Sequence, residues 1–217
     1  MNYKAVLFDL DGTLLDTLED LAGSMNSVLR RSGFPEHELH AYKYFVGDGM
    51  LNLVRRAVPE NARTDESVVA ACLASMKEEY GRRWKEKTRP YPGVPEMLDA
   101  LRQKGVKMVV LSNKPHEFTQ LTVTSLLPRW KFDAVFGERP SIPRKPDPAA
   151  ALEIAVAIGV RPAEFLYLGD TATDMITANA AGMYPVGALW GFRTAEELTA
   201  SGAKTLIREP SDLLHLL

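Results

Sequence analysis

Asp9 and Asp11 stand two residues apart where the apolar run Ala5-Val6-Leu7-Phe8 ends, and Gly12 and Thr13 follow at once. Residues i and i+2 share one face of a strand, so both carboxylates can begin on the same side. Gly12 permits a tight turn that leaves amides facing an anion. Two carboxylates beside such amides can hold a divalent cation and a phosphate together. The same residues also describe a strand ending in an ordinary Asp-Gly turn, and the two readings part only on what the rest of the chain supplies.

Three more polar clusters bear on that choice. Ser112-Asn113-Lys114 follows the apolar run Met108-Val109-Val110-Leu111, and Gly169-Asp170, with Asp174 four residues on, follows Phe165-Leu166-Tyr167-Leu168. Arg144-Lys145-Pro146-Asp147-Pro148 lies in a loop ahead of a helix. Each has a plain structural reading. Ser112 and Asn113 can cap the next helix, Asp174 can be the capping-box partner of Thr171, and Asp170 can be a turn residue. Lys145 can be an exposed loop lysine, and Asp147-Pro148 suits an N-cap and first helical residue. Ligands of open parallel sheets bind outside the carboxyl ends of the strands. All four clusters fall on that rim together, bringing at least four carboxylates, a hydroxyl and amide pair, and a lysine.

The elements that must position them alternate. The spacing predicts a buried strand over 4–9 and a helix over 17–31, where Leu18, Leu21, Met25, Val28 and Leu29 recur at helical period and Thr17 with Asp20 resembles a capping box. From there to about Thr88 only helical patterns occur, at 36–44, 50–58 and 65–86, interrupted by Val46-Gly47-Asp48-Gly49 and Pro59-Glu60-Asn61. Arg89-Pro90-Tyr91-Pro92-Gly93 is a stiff breaker and a natural hinge. After it come helix 94–104, strand 107–111, helix 115–126, strand 133–136, helix 148–158, strand 165–169 and helix 172–181. Strand 184–188, helix 194–201, strand 204–207 and helix 210–216 complete the chain. Strands alternating with helices predict an α/β fold: a Rossmann-like parallel sheet with helices on both faces. Residues 1–16 plus 89–217 form this core, and 17–88 an inserted all-helical domain.

Composition sets bounds. With 217 residues, 46% hydrophobic and 25% charged, the chain has ordinary globular make-up. A formal net charge of −2 recruits neither nucleic acid nor an acidic membrane surface. The single cysteine, Cys72, cannot form an internal disulfide and suits a reducing compartment. Without a membrane-length apolar stretch or a signal-peptide pattern, a cytoplasmic protein is expected, as monomer or homodimer. The four histidines show no metal-ligand spacing.

Taken in order, Asp9-Leu10-Asp11-Gly12-Thr13, Ser112-Asn113, Lys145-Pro146-Asp147-Pro148 and Gly169-Asp170 with Asp174 resemble the four motifs of the haloacid-dehalogenase-like superfamily. The likeness runs over essentially the whole chain. A helical insertion directly after the first motif resembles the cap of that family. Asp16-Thr17, Val46-Gly47-Asp48-Gly49, Ser112-Asn113-Lys114-Pro115 and the tail from Ala180 to Gly191 are similar to phosphoglycolate phosphatases.

The resemblance implies phosphoryl transfer through an aspartyl-phosphate. Asp9 is then the nucleophile and Asp11 the general acid and base. Lys145 neutralises nucleophile and phosphate. Ser112, Asn113, Gly12 and Thr13 belong to phosphate binding or its support. Mg2+ is the implied cofactor, held by Asp9, the Asp11 carbonyl and Asp170, with Asp174 as a further ligand or orienting group. Asp11 favours phosphatase or phosphomutase chemistry, since dehalogenases of the superfamily lack that aspartate. Gly47, Asp48 and Gly49 are the insertion's candidates for substrate contact. The expected partner is a small phosphorylated metabolite, 2-phosphoglycolate first. A pyrophosphatase, another sugar or nucleotide phosphatase, a β-phosphoglucomutase-like enzyme and a non-catalytic phosphate-binding regulator are the alternatives.

Overall fold

The computed structural model describes residues 3–217, and its regular elements fall into two compact units. One is built from the chain up to Leu15 and Pro90–Leu217, the other from Asp16–Arg89.

The first unit is a six-stranded parallel sheet. Its strands are β1 (Ala5–Phe8), β2 (Lys107–Pro115), β3 (Ala134–Glu138), β4 (Phe165–Gly169), β5 (Tyr184–Ala188) and β6 (Thr205–Ile207). They are ordered β3-β2-β1-β4-β5-β6, and each neighbouring pair is parallel. That is the doubly wound order, which reverses direction between β1 and β4 and opens a crevice at their carboxyl ends. The register sets Leu7 beside Val109 on one side and Tyr167 on the other. Helices α5 (Val94–Gln103), α6 (His116–Leu126), α7 (Ala149–Ile158), α8 (Ala172–Ala180) and α9 (Ala195–Ala200) alternate with the strands.

Burial follows the period of two. Val6, Phe8, Val110, Leu166 and Leu168 pack with Met97, Leu98 and Leu101 of α5 and Val123 of α6. Ala5, Leu7, Val109, Phe165 and Tyr167 face the other way, onto Ala151 and Ile154 of α7 and Ala178 of α8. Both faces are covered, which is why the strands read as near-continuous apolar runs. The α/β, Rossmann-like reading agrees with this core.

In the second unit the helices are α1 (Leu18–Arg31), α2 (Tyr42–Phe45), α3 (Met50–Ala57) and α4 (Glu66–Arg83). Asp65 caps α4, accepting from the N–H groups of Ser67 and Val68. Two local expectations fail here. Thr17 makes no side-chain cap hydrogen bond. Its supposed partner Asp20 instead accepts from the N–H groups of Lys87 and Thr88 and from the Thr88 hydroxyl at 2.7–3.0 Å. The helix expected over 36–44 is confined to a 3-10 turn, Leu39–Ala41, and the short α2. The cause is Asn26, whose side-chain amide donates to the His37 carbonyl (2.8 Å) and accepts from its N–H (3.0 Å), holding the chain out of the helix. No helix among the described residues is long and apolar enough to cross a membrane.

Candidate active site

The carboxyl rim of β1, β2 and β4 carries the site. Asp9 follows β1, and its N–H donates to the Leu168 carbonyl of β4 at 2.9 Å, so the sheet itself fixes its backbone. Leu10 to Leu15 then form a compact turn. The Leu10 carbonyl accepts from the N–H groups of Leu14 (3.1 Å) and Leu15 (2.9 Å). The Gly12 N–H, expected to face an anion, donates to the Leu15 carbonyl at 2.9 Å instead. Gly12 contributes room: it holds φ +92°, and a Cβ there would run into the Asp170 carboxylate. Gly169 and Gly191 do the same, since a Cβ would strike Asp174 or Asp170 respectively.

Into this space come three aspartates. Asp9 is 6% exposed, and Asp170 and Asp174 are fully buried. Each offers an oxygen within 4.8 Å of the others. Asp170 accepts from the Thr13 hydroxyl (2.9 Å) and the Phe192 N–H (2.8 Å). Thr13 therefore buttresses Asp170 through its side chain. Asp174 performs two tasks with its two oxygens. One closes the capping box of α8 on the N–H and hydroxyl of Thr171 (3.1 and 2.7 Å), and the other accepts from Lys145.

Lys145 is only 3% exposed, which disposes of the exposed-loop reading. Its ammonium has three donors, and three acceptors surround it: Asp9 at 2.8 Å, Asp174 at 2.7 Å and the Leu111 carbonyl at 3.0 Å. Asn113 fixes its backbone, donating to the Lys145 carbonyl and accepting from the Lys145 N–H. Ser112 and Asn113 do not precede α6 as caps. They continue β2, which runs to Pro115 rather than ending at 111. The Ser112 hydroxyl accepts from the Lys114 N–H at 3.2 Å.

Asp11 lies apart from that triad. Its carboxylate pairs with Lys114, whose Nζ is 2.7 and 2.9 Å from the two oxygens. Lys114, the third residue of the polar run Ser112-Asn113-Lys114, is 6% exposed, and its pairing with Asp11 is what the run alone does not assign. The run is marked as a whole by its place after an apolar strand, while its polar character conceals that the strand continues, buried, to Pro115.

The electrostatics follow from crowding. Burial raises the Asp9 carboxyl well above the usual carboxylate range, Asp174 adds to the rise, and Lys145 opposes it. Asp170 is pushed up to about 7 by burial and by Asp174, against the pull of the Phe192 N–H and the Thr13 hydroxyl. Burial disfavours the Lys145 ammonium, but Asp174 and Asp9 override it and carry its pKa well above the ordinary value. Three buried carboxylates lie together, and the Lys145 ammonium meets only two of them, Asp9 and Asp174. A hard divalent cation with oxygen ligands fits that deficit and that donor set.

Among the other expected residues, Gly47, Asp48 and Gly49 belong to the helical unit, between α2 and α3. Gly47 and Gly49 have positive φ, 120° and 83°, and Asp48 is paired with Arg56. Arg55 is paired with Glu66 at 2.8 Å. His116 accepts the Gly137 N–H on Nδ1 at 3.1 Å and packs edge-on to Phe136.

A doubly wound parallel sheet with aspartates and a buried lysine at its carboxyl rim defines the class, and residues 6–188 match the family described as haloacid dehalogenase-like hydrolase. The chain belongs to that family. It is 35% identical over 218 residues to a phosphoglycolate phosphatase of Pseudomonas putida, covering 97% of this chain and 78% of the relative. A phosphoglycolate phosphatase of Xylella fastidiosa is 32% identical, with 99% and 91% covered. A crystal structure from Lactobacillus delbrueckii subsp. bulgaricus, provisionally described as a phosphoglycolate phosphatase, is similar with a TM-score of 0.93 at 33% identity, covering 100% of this chain and 98% of its own.

Proposed function

We propose that this chain hydrolyses a small phosphomonoester, 2-phosphoglycolate first, through an aspartyl-phosphate. One observation carries the reading. Two aspartates two residues apart have been given different surroundings: Asp9 faces Lys145, Asp170 and Asp174, while Asp11 faces Lys114. Paired carboxylates in distinct environments suit one nucleophile and one acid/base group.

In the first step an Asp9 oxygen bonds to phosphorus as the bond to the ester oxygen breaks. The leaving oxygen keeps the electron pair and takes the proton of Asp11. In the second step water attacks phosphorus and gives its proton to Asp11. The Asp9 carboxylate is released, and inorganic phosphate departs. Lys145 holds Asp9 in place and balances charge on the phosphoryl oxygens. Ser112 and the Asn113 N–H are assigned to the transferring phosphoryl group, while Gly12 and Thr13 shape and brace the loop beneath it. Asp9, the Asp11 carbonyl and Asp170, with Asp174, would hold Mg2+. When bound, the ion supplies positive charge that lets a carboxylate approach a phosphate dianion.

The helical unit, 17–88, is assigned as the substrate-selecting cap, with Gly47, Asp48 and Gly49 as its contact residues. Names of the relatives support phosphoglycolate over the pyrophosphatase and phosphomutase alternatives. Phosphate release with Mg2+ from phosphoglycolate, pyrophosphate, glucose phosphates and nucleotides tests the reading. Phosphoglycolate is expected to lead, and Asp9→Asn to abolish turnover. Silence across the panel, or an active Asp9→Asn protein, defeats it.

A further inference from the structure

The steps above use one buried ammonium, Lys145, and leave another without a task. Lys114 projects from the end of β2, almost wholly buried, and grips both oxygens of Asp11. The three donors of Lys145 already meet Asp9, Asp174 and a backbone carbonyl. A second anionic group on the substrate therefore needs another cation. We propose that Lys114 is a specificity-determining residue whose ammonium receives a carboxylate on the carbon next to the ester oxygen, so that the substrate class is the phosphate esters of 2-hydroxy acids. The proposal rests on the phosphatase reading and deepens it.

Geometry supports it. Asp11 must come within one hydrogen bond of the ester oxygen to protonate it. Lys114 is one hydrogen bond beyond, at 2.7 Å from Asp11. The ammonium thus stands within about 6 Å of the ester oxygen, at most two hydrogen-bond lengths. A carboxylate on the ester carbon projects its oxygens into that interval. A neutral alkyl ester offers nothing there. Were Lys114 only a counter-charge to Asp11, its loss would slow all esters alike, because Asp11 serves every leaving group.

The test compares phosphoglycolate with ethyl phosphate, which has the same ester carbon but no carboxylate. The quantity read is the ratio of their kcat/KM values in the unmutated protein, Lys114→Met, Lys114→Gln and Lys114→Arg. Loss of one charge-assisted contact is expected to lower the ratio by about 10- to 100-fold in the Met and Gln proteins, mainly through KM for phosphoglycolate. The Arg protein, which keeps the charge, is expected to recover part of it. Misplacement of Asp11 slows both substrates and cancels in the ratio. A second measurement avoids substitution: against ethyl phosphate turnover by the unmutated protein, 3-phosphonopropionate is expected to inhibit at about tenfold lower concentration than propylphosphonate. A ratio unchanged in the Met and Gln proteins overturns the role of Lys114 while leaving the phosphoglycolate reading intact. A ratio near one in the unmutated protein overturns that reading itself, and the proposal falls with it.

Discussion

Asn113 and Lys145 hold each other by a reciprocal pair of hydrogen bonds, side-chain amide to backbone carbonyl at 3.1 Å and backbone N–H to side-chain carbonyl at 3.0 Å. A strand residue thereby aims a loop lysine whose Nζ must reach two carboxylates. In Asn113→Ala both backbone groups lose a buried partner, costing about 1–3 kcal/mol each as an upper range. Loss of aim at the reacting centre is expected to lower kcat by about 10- to 100-fold. Melting curves and steady-state kinetics on the same preparation check both. An unchanged kcat would show that Lys145 needs no such guide.

The raised pKa of Asp170 ties stability to pH when no divalent cation is present. Its folded value, about 7, lies above the ordinary carboxyl value of 3.8. Between those pH values the unfolded chain has released the proton and the folded chain still binds it. Stability from this group is therefore present at low pH and lost as pH rises toward 7, by a few kcal/mol at most. Thermal unfolding in chelator is expected to show a falling melting temperature from pH 5 to 8. Added Mg2+ is expected to flatten that fall. A chelated protein that grows more stable over this range contradicts the assignment.

Gly191→Ala is expected to damage metal binding more than folding. A Cβ at Gly191 would meet the Asp170 side chain and the Gly12 carbonyl, forcing the carboxylate aside. Displacing a ligand in this way typically weakens metal affinity by about 10- to 100-fold. The Mg2+ concentration giving half-maximal phosphate release should rise accordingly, with the circular dichroism spectrum unchanged. Equal Mg2+ dependence in both proteins would remove Gly191 from the site.

Asp20→Ala should act on stability alone. Its buried carboxylate satisfies two backbone N–H groups and a hydroxyl from Lys87 and Thr88. Leaving them without an acceptor is expected to cost about 2–4 kcal/mol. Denaturant titration measures the loss, and activity per folded molecule should hold. If Asp20→Ala unfolds at the wild-type midpoint, the contacts contribute nothing net.

For the helical unit, Asp48→Ala is expected to raise KM for phosphoglycolate by more than it lowers kcat, as removal of a contact made equally in ground and transition states does. The same KM in both proteins would withdraw Asp48 from substrate contact.

Much of the site could be read in advance because apolar runs announce strands and polar residues at their ends announce a rim. Asp9, Asp170, Asp174 and Lys145 meet for that reason. Where side chains override the local pattern, reading fails. Asn26 pins His37 from eleven residues away, so the helical period over 36–44 is only partly realised. Asp20 has a cap partner in sequence at Thr17 but finds better donors at Lys87 and Thr88. Lys114 stands in a polar run that is legible as part of the rim, but its own role is not. Its burial depends on β2 continuing past Leu111, and its partner Asp11 lies 103 residues earlier. Asp174 shows that two readings of one residue need not compete, since a carboxylate has two oxygens and here each serves one of them.

The grip of Asp20 on Lys87 and Thr88 also bears on how such a gene can change. It fastens the beginning of the inserted segment to its end, within the segment, so part of the entropy of closing that long loop is met locally. A segment closed in this way behaves as a cassette. Recombination can exchange it, lengthen it or redraw its lining while the chemistry at the rim is inherited untouched.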